Sequence, residues 1–416
     1  MATHAQTPGR ERAILFTLVA VQFTHILDFM IMMPLGSHLM RVFAISPAQF
    51  TYLVATYSIA AALTGLAGGF LLDRYDRRKA LLFLYTGFGL ATLGCALAPT
   101  YHTLLIARFA AGGFGGLAGA VVTAMVGDVI PHERIGRAMG LVMSAFPIAS
   151  VLGVPIGLML AEHFEWHAPF FLLAGLSVVI LFVGARALPS LPAAHKVAQP
   201  WQQMREIVSH SLHRRGFLMS AALVYAGGLV IPFLAPTMVA NVGLAESDLW
   251  KIYAAGGACT FFSMPVIGRL CDRYNKLSVL GWLSLAASIV VLILTNLPPA
   301  PLLVAMLMTA LFMVTMSGRF TPAMAMLTAA VDSRYRGGFM SVNSAVQQAA
   351  GSLANVTAGL LVSVGPGGRL LGYPKVGFAT VTFFGLTYLL ARRLCRHAPH
   401  AAIPRSSGGP AFAPAK

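Results

Sequence analysis

The chain has 416 residues, of which 57% are hydrophobic and only 10% charged, whereas an ordinary soluble domain carries about a quarter charged residues. Its mean hydropathy is +0.76, so there is too little polar surface to cover two or three soluble domains of this total length. The formal net charge of +16 would indicate a nucleic-acid partner in a soluble protein, but in a membrane protein it can record topology alone. Four widely separated cysteines, Cys95, Cys259, Cys271 and Cys395, predict neither a disulfide framework nor a metal site.

Apolar runs of about 20 residues, the length a helix needs to cross a bilayer, predict twelve transmembrane helices. The first run is too long for a cleavable signal peptide and carries Asp28, so we expect it to remain in the protein as a helix. The predicted spans are 13–37, 49–71, 80–98, 103–128, 138–161, 168–188, 215–240, 249–270, 277–296, 301–329, 338–362 and 374–391.

The connectors divide these runs into two halves. A linker over 189–214, rich in proline and basic residues, separates six-helix halves at 1–188 and 215–396. The Pro/Gly/Ser-rich segment 397–416 is predicted to be a disordered tail. The sequence therefore predicts an all-α membrane protein with twelve transmembrane helices.

Most of the 29 basic residues fall in the connectors of a single predicted face. Because Lys and Arg accumulate in cytoplasmic loops, this distribution predicts that both termini are cytoplasmic, and it removes the need for a nucleic-acid partner. Two basic residues fall inside predicted helices instead, Arg108 and Arg319. Four fall on the opposite side: Arg41, Lys251, Arg369 and Lys375.

The first predicted helix contains a carboxylate, Asp28, close to the membrane midplane, and His25 lies three residues earlier on the same face. An ionisable group at this depth is a candidate for function, and such a group can take up and release a proton as its surroundings change. A permanent ion pair between Asp28 and Arg108 is the alternative, and a lone membrane histidine is as often a packing residue. Met32, two residues before Pro34, is a candidate for an adaptable apolar pocket.

An internal repeat supports the two halves. The stretch from Gly69 through Asp73-Arg74 to Arg77 follows the second helix, and a matching stretch from Gly268 through Asp272-Arg273 to Lys276 follows the eighth. Any short cytoplasmic loop collects basic residues, but that does not explain two matched G-x-x-x-D-R-Y spacings. The repeat predicts a duplicated chain with a pseudo-two-fold axis along the membrane normal.

These motifs resemble the loop signature of the major facilitator superfamily, and the resemblance covers almost the whole chain. It implies the major facilitator fold and alternating-access transport. It also implies that the loop cluster, which comprises Gly69, Asp73, Arg74, Arg77, Asp272 and Arg273, stabilises the outward-open state and breaks when the halves rock.

Two further stretches are similar to exporters of this superfamily. Arg108 and Gly112 match an R-x-x-x-G pattern in the fourth helix, and the stretch from Asp28 to Pro34 resembles the first helix of drug/proton antiporters. In the fifth helix Gly153, Pro155 and Gly157 come close to the G-x-P-x-G form of drug and sugar exporters, with departures from the strict antiporter signature. A Gly/Pro kink that only packs two helices together is an equally compatible interpretation.

The second half offers polar groups for a substrate cavity. Arg319, between Ser317 and Pro322, is predicted to lie where the tenth helix is interrupted, because irregular polar backbone is tolerated at membrane depth only beside protein or water. Asn343 and Gln347 form a polar stripe at i, i+4 in the eleventh helix. Tyr225 and Tyr253 are candidate cavity aromatics, although single tyrosines are slightly more often structural.

The sequence thus predicts a secondary transporter of the inner membrane that exports a small organic or amphipathic molecule in exchange for protons. Asp28, Arg108 and His25 are its predicted coupling residues, and we expect a monomer in the lipid bilayer without a cofactor or metal. No Walker loop, zinc helix or aspartate-rich loop indicates an enzyme. A proton-coupled importer, and a non-transporting sensor or scaffold with a transporter-like body, remain as alternatives.

Overall fold

The computed structural model describes residues 8–71, 75–131, 134–190, 200–332 and 335–403. The first half consists of helices that are joined by short turns. A π-helical turn, Ala149–Gly153, interrupts its fifth span. Its helices are α1 (Pro8–Ile31), α2 (Gly36–Val42), α3 (Pro47–Leu71), α4 (Arg77–Ala96), α5 (Tyr101–Val129), α6 (Ile135–Met143), α7 (Ala145–Ile148), α8 (Val154–Phe164) and α9 (Ala168–Ala187).

A ten-residue helix, α10 (Pro200–Ser209), leads into the second half. That half contains α11 (Ser211–Ala240), α12 (Leu249–Arg273), α13 (Lys276–Thr295), α14 (Leu302–Ala330), α15 (Arg336–Leu361) and α16 (Tyr373–His397). Its short elements are 3-10 turns at Glu246–Asp248, Pro366–Gly368 and Pro399–Ala401, and a small antiparallel pair, β1 (Ser363–Val364) and β2 (Leu370–Leu371).

Twelve spans are present in this part of the chain, as the sequence predicts. Ten of the described helical segments are long and apolar enough to cross a membrane, with α6 to α8 forming one of them. The long helices α3 and α15 complete the set. We call the face where α1 begins and α16 ends the terminal face, and the face that carries α2 the distal face.

Three helix boundaries differ from the predicted ones. The first span ends at Ile31 rather than near 37, because a residue that precedes a proline, here Met33 before Pro34, is disfavoured in helical conformation. The fifth span is broken before Pro155 by the π-helical turn. The tenth span is not interrupted, since α14 runs through Arg319 and Pro322 as one helix; neighbouring helices make a proline tolerable inside a transmembrane helix.

The two copies of the repeated loop begin their following helices in the same way. Asp76 caps α4 by accepting a hydrogen bond from the backbone N–H of Lys79 at 2.9 Å, and Asn275 caps α13 by accepting one from Leu277 at 2.9 Å. Partial burial raises the pKa of Asp76, but hydrogen bonds from Ser190 and from the α4 backbone outweigh it and hold that pKa below its usual range. Short polar side chains at these positions satisfy N–H groups that have no partner within the helix.

The predicted disordered tail does not begin at 397. His397 ends α16, and the following residues fold back onto the second half: the backbone N–H of Lys276 donates to the Ala402 carbonyl at 3.0 Å, and His400 contacts the Ala329 carbonyl at 3.0 Å. Ala401 is fully buried. Small apolar residues thus allow residues 397–403 to pack on α13 and α14; residues 404–416 lie outside the described ranges.

Small residues bring the two halves into contact. A side chain on Gly359 of α15 would lie 3.0 Å from the Ala48 Cα of α3, and one on Gly257 of α12 would lie 2.9 Å from the Val151 Cα of the π-helical turn. Ser352 adds a hydrogen bond from its hydroxyl to the Ala55 carbonyl at 2.8 Å. In lipid, where apolar burial gives helices little drive to associate, such close backbone packing is a main source of helix association.

Within the first half, Gly112 provides a test of this packing. A Cβ at Gly112 would lie 2.7 Å from the Tyr57 Cα, whereas one at the neighbouring Gly113 would meet nothing nearer than 3.4 Å. We expect Gly112→Ala to lower the free energy of unfolding by about 1–3 kcal/mol through overpacking. Gly113→Ala should be neutral or stabilising by up to about 1 kcal/mol, because alanine favours helix. Thermal unfolding in detergent measures both; equal stability of the two variants would contradict the α3–α5 packing.

Candidate functional site

The two charges that topology alone cannot explain in the first half form an ion pair. Arg108 of α5 donates from one terminal nitrogen to Asp28 Oδ2 of α1 at 2.7 Å and to the Asp28 backbone carbonyl at 3.2 Å. Both side chains are completely buried. Each charge offsets the cost of burying the other, which is the condition under which charged groups persist inside a membrane protein.

The pair is only partly saturated. Asp28 Oδ1 and the Nε and second terminal nitrogen of Arg108 have no hydrogen-bond partner among the described residues. The Arg108 guanidinium lies 4.5 Å from the centre of the Tyr57 ring of α3, a cation–π contact. A carboxylate held by one direct bond, with its other oxygen unpartnered, is less firmly fixed than one held by a bidentate arginine.

His25 joins the same group through Tyr57. The Tyr57 hydroxyl donates to the His25 backbone carbonyl at 3.2 Å and lies 3.4 Å from His25 Nδ1. The structure therefore brings the three predicted coupling residues, Asp28, Arg108 and His25, together. Tyr57 was not identified from the sequence, because a single tyrosine in an apolar run carries no signal of its own.

At the distal face the two halves are joined by charge. Arg41 of α2 makes a bidentate ion pair with Glu246, at 2.7 and 2.6 Å, and His38 lies 3.8 Å from the same carboxylate. These hydrogen bonds raise the pKa of Arg41. Beneath them Phe50 of α3 packs edge-on against Phe233 of α11. The only sequence feature that points to this contact is Arg41, a basic residue on the predicted outer side.

The predicted cavity residues divide into two groups. Met32 and Tyr253 lie in one cluster of buried apolar side chains that includes residues of both halves. Tyr225 instead lies within the second half, where its hydroxyl donates to Thr357 at 2.9 Å and its ring packs on Phe383. All three therefore contact the same cluster, Met32 and Tyr253 as buried members and Tyr225 as a partly buried residue packed against it.

Arg319 lies among helices of the second half. Its Nε donates to Ser284 of α13 at 3.1 Å, and its guanidinium stacks 3.7 Å above the Phe384 ring of α16. The side chain is 1% exposed, and no described carboxylate forms an ion pair with it. Its contacts with other helices thus come from α13 and α16.

The predicted polar stripe of α15 also turns toward protein. Asn343 is 1% exposed and its amide oxygen has no partner among the described residues. Gln347, which is half-buried, donates to the Ser220 hydroxyl of α11 at 2.7 Å.

The predicted loop cluster is only partly visible. Asp73 and Arg74 lie outside the described residues, and Gly69 lies in the last turn of α3. Arg77 is 8% exposed and lies 3.4 Å from Asp128 at the end of α5. In the second copy, Asp272 and Arg273 are exposed at the end of α12.

The glycines of the fifth span pack against α1. A side chain on Gly153 would lie 2.8 Å from the Leu27 methyl groups, and one on Gly157 would lie 2.6 Å from Ile31 Cδ1. Pro155, one residue into α8, follows the π-helical turn. Gly153 and Gly157 thus pack on residues of α1 that flank Asp28 in the sequence.

Comparison with known proteins identifies the family. The Major Facilitator Superfamily model matches residues 18–355 and 216–414. The chain belongs to the Major Facilitator Superfamily. It is therefore a multi-pass membrane transporter rather than an enzyme, and its substrate is a small molecule.

Relatives within the Major Facilitator Superfamily are named for different functions. An uncharacterized MFS-type transporter, YceJ of Bacillus subtilis, is 25% identical over 63% of this chain and 67% of its own length. The niacin transporter NiaP of Acinetobacter baylyi is 31% identical over 37% of this chain and 35% of its own length. A probable sugar efflux transporter of Helicobacter pylori is 26% identical over 38% of this chain and 40% of its own length.

Solved structures agree on the fold. A D-xylose–proton symporter matches with a TM-score of 0.76 and 15% identity, covering 94% of this chain and 98% of its own. A bacterial homolog of the human lysosomal transporter Spinster, in an inward-facing unoccupied conformation, matches with a TM-score of 0.75 and 17% identity, covering 97% and 100%.

The ion pair predicts a non-additive effect on stability. Arg108→Met leaves the Asp28 carboxylate buried without its partner and should lower the free energy of unfolding by about 3–5 kcal/mol near neutral pH. The deficit should shrink in acid, because protonation removes the unpaired charge. Asp28→Leu combined with Arg108→Met should recover most of the loss. Thermal unfolding in detergent tests this, and additive losses would contradict the pairing.

The distal ion pair predicts a change in conformation rather than in folding. Arg41→Glu places like charges together and should lengthen the distance between spin labels at Pro99→Cys and Ser247→Cys, two exposed positions on the distal face, in a Cys259→Ser background. Adding Glu246→Arg should restore the original distance. Because both partners are partly exposed, the pair contributes about 1 kcal/mol or less. An unchanged distance distribution in Arg41→Glu would show that this pair does not hold the face closed.

Proposed function

We propose that this transporter couples proton movement to the export of a small organic or amphipathic compound. The observation that carries the proposal is the Asp28–Arg108 pair, in which a fully buried carboxylate has one oxygen with no hydrogen-bond partner within bonding distance in the described part of the chain, although the Thr92 hydroxyl lies near it. A carboxylate in this setting can exchange a proton for its bond to the guanidinium, because protonation removes the charge that Arg108 balances.

The proposed cycle uses the two halves as alternating barriers. Asp28 takes up a proton from the distal side, which we place outside the cell, and the substrate leaves there. The halves then rock, the distal contacts around Arg41 and Glu246 close, and Asp28 releases its proton toward the terminal face. That face would be cytoplasmic, with both termini inside and the protein acting as a monomer of the inner membrane.

Other predicted residues have supporting roles in this proposal. Met32 and Tyr253 would contact the substrate between the halves. Polar groups of the second half would contribute to the polarity of the substrate cavity: Asn343, Gln347, Arg319 and Tyr225. The loop cluster around Arg77, with Asp73 and Arg74, and the glycines of the fifth span would control which conformation is populated. A mainly apolar surround suits lipophilic or weakly polar compounds.

Asp28→Asn tests the coupling. The amide keeps the size of the side chain but cannot carry the proton, so proton-driven accumulation in everted vesicles should be abolished while the protein still folds. Compounds would be chosen by a growth screen of cells with and without the gene. Asp248→Asn is a matched control, because it removes a surface carboxylate that pairs with Lys251 at 2.7 Å. Full transport by Asp28→Asn would overturn the proposal.

Import in symport with protons is the second candidate. NiaP is named as a niacin transporter without a direction, so a relative of this kind is compatible with import as well as export. Imposed pH gradients of both signs in the same vesicles separate the two directions, since an exporter and an importer respond to opposite gradients.

A further inference from the structure

Three buried polar atoms form a line along one side of α1. They are Gln22 Oε1, His25 Nε2 and Asp28 Oδ1, each without a hydrogen-bond partner among the described residues. Their residues are spaced by three, so successive side chains are neighbours with Cβ atoms about 5–6 Å apart. The line leads from Asp28 toward the terminal face, where α1 begins.

Burial decreases along this line. Asp28 is fully buried, whereas His25 and Gln22 are half-buried as whole residues although the named atoms are buried. One turn nearer the terminal face on α5, the exposed Thr123 donates its hydroxyl to the Gly119 carbonyl at 3.0 Å. The polar groups thus extend from the buried ion pair to an exposed side chain nearer the terminal face.

Gly119 of α5 faces the middle of this line. A Cβ added there would lie 3.1 Å from His25 Nε2 and 3.4 Å from Gln22 Oε1. Any side chain at 119 would therefore occupy the space between two polar atoms for which the described part of the chain supplies no hydrogen-bond partner. A water molecule needs about the volume of one probe sphere and two or more polar partners, and this position supplies the partners.

The contacts of Tyr57 indicate which tautomer the neutral ring of His25 adopts. The single hydroxyl proton of Tyr57 goes to the His25 carbonyl, so at 3.4 Å the Tyr57 oxygen can only accept from His25 Nδ1. A neutral imidazole that donates from Nδ1 keeps the lone pair on Nε2. The nitrogen that faces Gly119 is then the one able to accept a proton.

We propose that Gln22, His25 and Gly119 bind a water molecule that carries the proton of Asp28 toward the terminal face. The proton leaves the Asp28 carboxyl for this water, the water passes a proton to His25 Nε2, and the imidazolium releases it to solvent between the halves; no electrons are exchanged. Gln22 orients the water, and Gly119 is a positioning residue that keeps the space free. The inference rests on the proposed role of Asp28.

Other groups around the relay are few. Arg108 from α5, Tyr57 from α3 and Cys95 from α4 are the titratable or charged groups that act on Asp28 or its partner. Arg108 favours release of the proton, because it regains its ion pair when Asp28 ionises.

The experiment follows Asp28 itself and needs no transported compound. In lipid nanodiscs, the infrared carbonyl band of protonated Asp28 is the band lost in Asp28→Asn, and its decay after a jump from acidic to neutral pH gives the rate of proton release. Gly119→Ala should slow this decay by about tenfold or more, since a positioned proton-transfer group typically contributes at least that factor. The pH at which half the band is lost should stay unchanged.

Three variants keep the test specific. Gly119→Ser should return to within about threefold of the original rate, because its hydroxyl can take the place of the water. Gln22→Leu should slow release without adding bulk at 119, which covers the case in which Gly119→Ala does not fold. Gly127→Ala, on the same helix with nothing within 4 Å of its added Cβ, should behave as the original protein.

The outcomes separate the two proposals. An unchanged rate in Gly119→Ala, or equal slowing by alanine and serine, would overturn the relay while leaving Asp28 as the coupling carboxylate. A shift of the half-protonation pH with no change of rate would assign Gly119 to packing and would also overturn the relay. If no Asp28 band appears at acidic pH, Asp28 does not titrate and the proposed function fails together with the relay.

Discussion

A charge in the middle of a bilayer needs stabilising contacts that its side chain can reach. In this transporter that constraint joins α1 to α5. Asp28 and Arg108 are both fully buried and lie 2.7 Å apart. The guanidinium in turn packs on Tyr57 of α3, and Tyr57 holds the backbone of α1 at His25. Three helices of the first half are thereby oriented by one ionic contact and the groups that surround it.

The two halves use charge differently. The first half concentrates its buried polar atoms around one ion pair, whereas the second half carries a buried cation, Arg319, that is stacked on Phe384 and bonded to a hydroxyl. The caps Asp76 and Asn275 still match between the duplicated loops. The buried polar groups of the two halves do not match. Arg319 thus relies on an aromatic ring and a hydroxyl where Arg108 has a carboxylate.

The helix α5 takes part both in close packing of small residues and in the contacts of the buried polar groups on α1. Gly112 allows the backbone of α3 to approach, and Gly119, two turns further on, meets the polar atoms of His25 and Gln22. Glycines that look equivalent in a run of small residues thus meet different neighbours. A residue's neighbours across a helix interface, rather than its place in a motif, decide whether its missing side chain serves packing or leaves space for a polar ligand.

The sequence by itself determined the number of spans, the two halves, the family resemblance and the buried charges Asp28 and Arg108, because hydrocarbon thickness and the cost of burying charge act on composition and spacing directly. The sequence could not determine that Arg319 stacks on Phe384 within a continuous helix, that the tail packs from 397 to 403, or that Arg41 reaches Glu246. Those contacts join residues from separate helices. They depend on helix rotation and on which side chains fill the space between neighbours, and only the tertiary structure fixes both.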